Sequence, residues 1–243
     1  ALLYRLVLSQ ETDFGKAQAI HKAIDFAIQD GNISEMAKLY QNLVKQIVPA
    51  SELDWFACKA AMINMINRDF TTAQLWLEIA RKEDVPNGQS PITWPKLWPV
   101  FWLLDEDRSI ELDEQQLEGW AQNLLAENPL RGKNYINLTY HILKIFGAKI
   151  PHARWTELAG KEARIEHGYS LFANKQAIEQ ALEAKRTAEA AATLLLSAGS
   201  LKASEFLDES LLFIISTLND LGLEQQAKGL AFQVLIKKNH QIW

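Results

Sequence analysis

An all-α fold of antiparallel helix pairs is predicted by three features of the 243-residue chain. Apolar residues recur at the 3.6-residue period of an amphipathic helix. Residues that disfavour helix interiors separate the periodic stretches. No segment shows the convincing alternation of a half-buried strand.

From Ile33 the apolar positions are Met36, Ala37, Tyr40, Leu43, Val44 and Ile47, a single stripe between Gly31–Asn32 and Pro49. An earlier helix runs from about Phe14 to Asp30 and uses Ala17, Ile20, Ala23, Ile24, Ala27 and Ile28. So few residues join the two that they must fold back on each other as a hairpin. The same arrangement recurs at Ser51 to Asn67, where Asp69–Phe70–Thr71 leads into a second helix through Ala73, Leu77 and Ala80. It recurs again at Ala203 to Asn219, where Leu221–Gly222 leads into a helix carrying Ala227, Leu230, Ala231, Val234 and Leu235. Helical stretches between these pairs are read near Asp113–Ala126, Tyr135–Phe146, His152–Arg164 and Lys175–Leu196.

A spacing connects the pairs. Ala37 and Ala73 lie 36 residues apart, as do Ala191 and Ala227, close to the ~34-residue period of one class of helical repeat. An alanine suits these positions because paired helices approach most closely where side chains are small. On these alanines, on Pro49 after the first repeat and on Leu211, Ile214 and Leu218 in the last, the chain resembles the tetratricopeptide-like α-solenoids over roughly residues 14–85 and 185–238. The resemblance implies a right-handed superhelix of stacked pairs, irregular in the middle third, and a peptide or protein partner held on an extended surface.

The middle third holds the clearest interruption. Val85–Pro86–Asn87–Gly88–Gln89–Ser90–Pro91 is rich in turn residues, and Trp94–Pro95–Lys96–Leu97–Trp98–Pro99 follows. Two prolines four apart cannot both lie deep in one helix, so regular helix is expected from Pro95 at the earliest. Residues 1–243 therefore form either one helical-repeat domain or two lobes, 1–83 and 100–243, joined by the Pro/Trp-rich connection 84–99.

Trp94, Trp98 and Trp102 share one face of a helix at their four-residue spacing. Large flat rings beside prolines make them the candidate partner-binding residues; the opposing reading is that they staple the connection to the core. Asp105, Asp107 and Ser109 have the spacing that opens a calcium loop, but Ile110 stands where the loop needs glycine and Gln116 where it needs a bidentate glutamate. Asp113 and Gln116 read instead as a helix cap and its partner.

The histidines at 21, 141, 152, 167 and 240 form no metal-binding pair. Cys58 reads as a small packing residue, and Glu162 with Glu166 as an exposed charged face. There is no phosphate loop, nucleophile elbow or Cys/His signature, so no catalytic residue, metal or cofactor is assigned.

A net charge of −5 argues against general nucleic-acid binding. No apolar run is long enough to span a bilayer. The opening Ala1 is expected of a processed protein or an excised domain, and the compartment stays open. The expectation is a non-enzymatic binding or scaffold module for a peptide or protein. The alternatives are a small-ligand receptor or enzyme with a pocket between helices near the tryptophan-rich segment, or a structural domain of a longer polypeptide.

Overall fold

Residues 2–82, 93–106, 110–151, 155, 172–199 and 206–242 are described in a computed structural model, and they form twelve α-helices and no β-strand. Helix α1 spans Leu2–Leu8, α2 Asp13–Asp30 and α3 Ile33–Val44. Thr12 caps α2 by accepting from the Gly15 backbone N–H at 3.1 Å. Gly31 ends it at φ 73°, the left-handed conformation that glycine adopts without penalty. A short 3₁₀ turn, Ser51–Leu53, leads into α4 (Asp54–Ile66), and Asp69 caps α5 (Phe70–Ala80). The pairs read from Phe14 to Ile47 and from Ser51 to Ala80 thus correspond to α2/α3 and α4/α5.

Helix α6, Trp94–Leu104, starts one residue before Pro95 and runs through Pro99. Pro95 occupies the first turn, where a missing N–H costs nothing, while Pro99 lies inside the helix and breaks its hydrogen-bond ladder. Near that break the Lys96 carbonyl accepts from Trp120 Nε1 at 2.8 Å, which ties α6 to α7 (Glu114–Glu127). Asp113 caps α7 as its sequence suggests, accepting from the Gln116 backbone N–H at 2.8 Å.

Helix α8 runs Pro129–Ile145 and begins before the predicted Tyr135. Asn128 caps it and Pro129 opens it, the usual place for proline in a helix. At the α7/α8 crossing a Cβ on Gly132 would sit 2.7 Å from the Leu124 carbonyl oxygen, so only glycine allows the approach.

The stretch read as one helix, Lys175–Leu196, is two: α9 (Phe172–Glu183) and α10 (Thr187–Ala198). Lys185 turns left-handed at φ 56°, and the Lys185 and Arg186 N–H groups cap the Leu182 and Ala181 carbonyls. No glycine or proline marks that break. Helices α11 (Asp208–Asp220) and α12 (Glu224–Ile242) follow. The predicted helix at His152–Arg164 lies almost wholly outside the described residues, as does the start of the one read from Ala203.

Each of α1 to α4 packs on the next in sequence, and α4 also touches α2 and α6. Ala37, Ala73 and Ala227 are all buried, whereas at the remaining aligned position Ala190 is buried and Ala191 half-buried. Every residue from Phe56 to Met65 of α4 is enclosed, Cys58 among them. Helix α12 is different from the early helices: it packs on its partner α11, on α6 and α8, and also on α2 and α3 near the other end of the chain. Among the described residues no helix is long and apolar enough to cross a membrane.

Candidate functional site

Among the described residues, two places gather polar groups on an apolar frame. The first lies between α2 and α4. Position 59 falls in the buried face of α4, so the Lys59 ammonium ends inside, with only 2% of its side chain exposed. It sits 2.5 Å from Asp25 Oδ1 and 2.9 Å from His21 Nε2. His21 and Asp25 are i and i+4 on α2 and so project side by side. An ammonium can only donate, so Nε2 is the acceptor and the neutral ring carries its proton on Nδ1. That Nδ1 is buried and has no hydrogen-bond partner among the described residues.

The environment decides the charges. Burial, aided by the Lys59 charge and opposed by Asp25, pushes His21 down to about 4. Burial also lowers Lys59 from its ordinary value, with Asp25 opposing. At neutral pH the cluster is therefore an ion pair bonded to a neutral imidazole. Trp55 covers the imidazole edge-on at 5.3 Å, and Phe14 meets Trp55 edge-on at 5.5 Å. Phe14 is 54% exposed, and Val48 is anchored beside it by its N–H donating to Asp13 Oδ2 at 3.0 Å.

The second place is a cleft of about 220 Å³ where α12 closes on the early helices. Its floor is apolar, from Met65, Ile66, Phe70, Leu104 and Phe232, and its walls carry Ser34, Lys38, Arg68, Glu106, Gln225 and Lys228. Arg68 donates to Glu106 Oε1 at 2.8 Å, and Gln225 donates to the same oxygen at 3.0 Å. Arg68 adopts φ 61° between α4 and α5, a strained conformation for a side-chain-bearing residue. Lys228 pairs with Glu224 at 2.7 Å, and its side chain is only 8% exposed.

The predicted aromatic face divides. Trp98 and Trp102 are buried in the core, while Trp94 is half-buried, stacked on Phe101 at 6.0 Å with the Arg81 guanidinium 4.7 Å from its ring centre. Asp105 is buried and accepts from the Ile110 N–H, whereas Asp107 and Ser109 lie outside the described residues. Glu162, Glu166, His152 and His167 also lie outside them. His141 packs on Trp155 at 4.6 Å. Among the described residues no three His, Cys, Asp or Glu side chains come together as a metal site.

The sequence reading passed over the His21–Asp25–Lys59 cluster. Its signal was present: a lysine alone in an otherwise apolar run cannot lie inside without a partner. No protein-family model, curated protein or solved structure matches the chain.

Proposed function

We propose that the chain is a non-enzymatic helical-repeat scaffold, an α-solenoid of the tetratricopeptide-like kind, that recognises a peptide or protein partner. One observation carries the reading: exposed Phe14 meets Trp55 edge-on at 5.5 Å, and exposed Val48 is tied to Asp13, the neighbour of Phe14, by its backbone N–H. Exposed aromatic side chains set on rigid helices are suited to partner contact, because little ordering is needed when they bind. Exposed Glu11, Glu52 and Asp54 flank these residues in sequence and favour a partner carrying basic groups. Trp94 is the member of the tryptophan series that remains in the proposal, since part of it reaches the surface. Trp98 and Trp102 support α6 from inside. The test is recovery of partners from native lysate with wild-type protein and with Phe14→Ala/Val48→Ser, whose fold is verified by melting. A partner held by the wild type and lost from the variant supports the reading. Equal recovery by both, or no partner at all, refutes it.

A second reading, a receptor for a small ligand, is favoured by the cleft under α12. That cleft borders the end of α6 and has the apolar floor and few convergent polar groups of a binding pocket.

A further inference from the structure

We propose that the cleft between α3, the α4/α5 turn, α6 and α12 binds a small amphiphilic anion, an apolar body carrying one anionic group. The inference rests on the second reading, that the cleft is a ligand site, and adds the chemistry of the ligand.

Charge is the first support. Three cations, Lys38, Arg68 and Lys228, line the cleft against one carboxylate, Glu106, although the whole chain is acidic with a net charge of −5. The Glu106 charge is already taken up by Arg68 and Gln225. Lys228 is the most buried of the three cations, more than nine-tenths, and its 2.7 Å pair with Glu224 occupies only one of the three protons an ammonium can donate. Its carboxylate partner Glu224 is more than half exposed, so that pairing is shared with solvent. A ligand anion entering the cleft meets Lys228 where little water competes, and there a charge-assisted bond is strongest. Ser34 adds a donor: its Oγ accepts from Gln233 Nε2 at 2.6 Å, which leaves its own O–H proton for another acceptor.

Shape is the second support. A cavity of 150 Å³ admits benzene, so 220 Å³ admits about eight or nine non-hydrogen atoms. The apolar floor suits a short hydrocarbon body. Gly229 forms part of the wall in the interior of α12, where glycine is less favourable than alanine. A Cβ at position 229 would meet nothing within 4 Å, so no neighbour in the chain demands the glycine. Its effect is an open wall beside Lys228.

Calorimetric titration of the full chain with hexanoate, hexanamide and hexylamine tests the proposal. Hexanoate is expected to bind about tenfold tighter, or more, than either analogue. Lys228→Met should reduce hexanoate to the level of hexanamide and leave hexanamide unchanged. Gly229→Leu, which fills the cleft, should abolish binding of all three. Lys38→Gln, an exposed change with no demand on folding, should weaken hexanoate alone. Equal binding of the three probes by the wild type overturns the anion assignment and leaves the cleft as a ligand site. If no probe binds, or if Gly229→Leu binds hexanoate as the wild type does, the cleft reading falls along with it.

Discussion

Removing Asp25 and removing Lys59 break the same ion pair, yet the two substitutions should cost very different amounts. The structural reason is unequal burial: Lys59 is 2% exposed and Asp25 31%. After Asp25→Ala the ammonium stays enclosed by α4 and its neighbours with no counter-charge, the situation that costs about 3–5 kcal/mol when one partner of a buried pair is deleted. The exposed side of the cluster admits some water, so the lower end, about 3 kcal/mol, is expected. After Lys59→Met the remaining carboxylate turns to solvent and a flexible apolar chain fills the lysine's path, so a loss of about 1 kcal/mol or less follows. The double variant should then be about 2 kcal/mol more stable than Asp25→Ala alone. Urea unfolding near neutral pH, with m-values compared, measures all three. The pH profile offers a second readout. Without Asp25, burial holds the folded-state pKa of Lys59 still further below its unfolded value. The unfolded chain then binds more protons, so stability rises with pH across that window, and Asp25→Ala should recover stability as pH rises toward the ordinary lysine value of about 10.4. If Lys59→Met loses as much as Asp25→Ala, or if the two losses simply add in the double variant, the assignment of Lys59 as a desolvated cation is wrong.

His21 titrates near 4 in the folded chain against an ordinary 6.5. Its contribution is therefore complete above about pH 6.5 and is lost as pH falls toward 4, with a ceiling of about 3 kcal/mol lowered by solvent screening. His21→Gln should flatten that part of the profile, read as the difference between urea midpoints near pH 7 and pH 4.5. Ala73→Leu inserts three carbons at the buried α4/α5 crossing and should destabilise by about 1–3 kcal/mol; an unchanged denaturation midpoint would show that the crossing is not tight. Trp98→Ala should cost about 3–5 kcal/mol and Trp94→Ala less, because only Trp98 is fully enclosed; equal losses by thermal or urea unfolding would contradict that difference.

Helix boundaries were legible in the sequence where a residue has a private reason to end or begin a helix. Gly31, Asp69 and Asp113 do so through backbone conformation or capping, and each acts where it was read. The break at Lys185 was not legible, because a lysine there carries no such preference and the left-handed turn is imposed by the α9/α10 fold-back. Pro99 shows the opposite case. Its helix-breaking tendency is real, but the apolar face of α6 buries Leu97, Phe101 and Trp102 and outweighs one missing hydrogen bond. The candidate sites divide in the same way. Lys59 could be singled out from its apolar surroundings, but its partners are on another helix, and only packing selects Asp25 and His21. The tryptophan face was read from spacing alone, which places three rings together without saying which way they turn.

The cleft lies furthest beyond the reach of local pattern. Its walls come from residues near 34–38, 65–70, 104–106 and 225–232, so no stretch of sequence contains it. It exists only when α12 docks against α3 and α6, and the bond from Gln233 to Ser34 spans almost the whole chain. In a stack governed by nearest neighbours, the ends contribute little to each other. Here the last helix returns to the second and third, so stability of the first hairpin depends on residues beyond 224. The proposed ligand would touch residues of both α3 and α12. Binding there would favour the docking of α12 by mass action. Lys38 of α3 and Lys228 of α12 line the one cleft although 190 residues separate them.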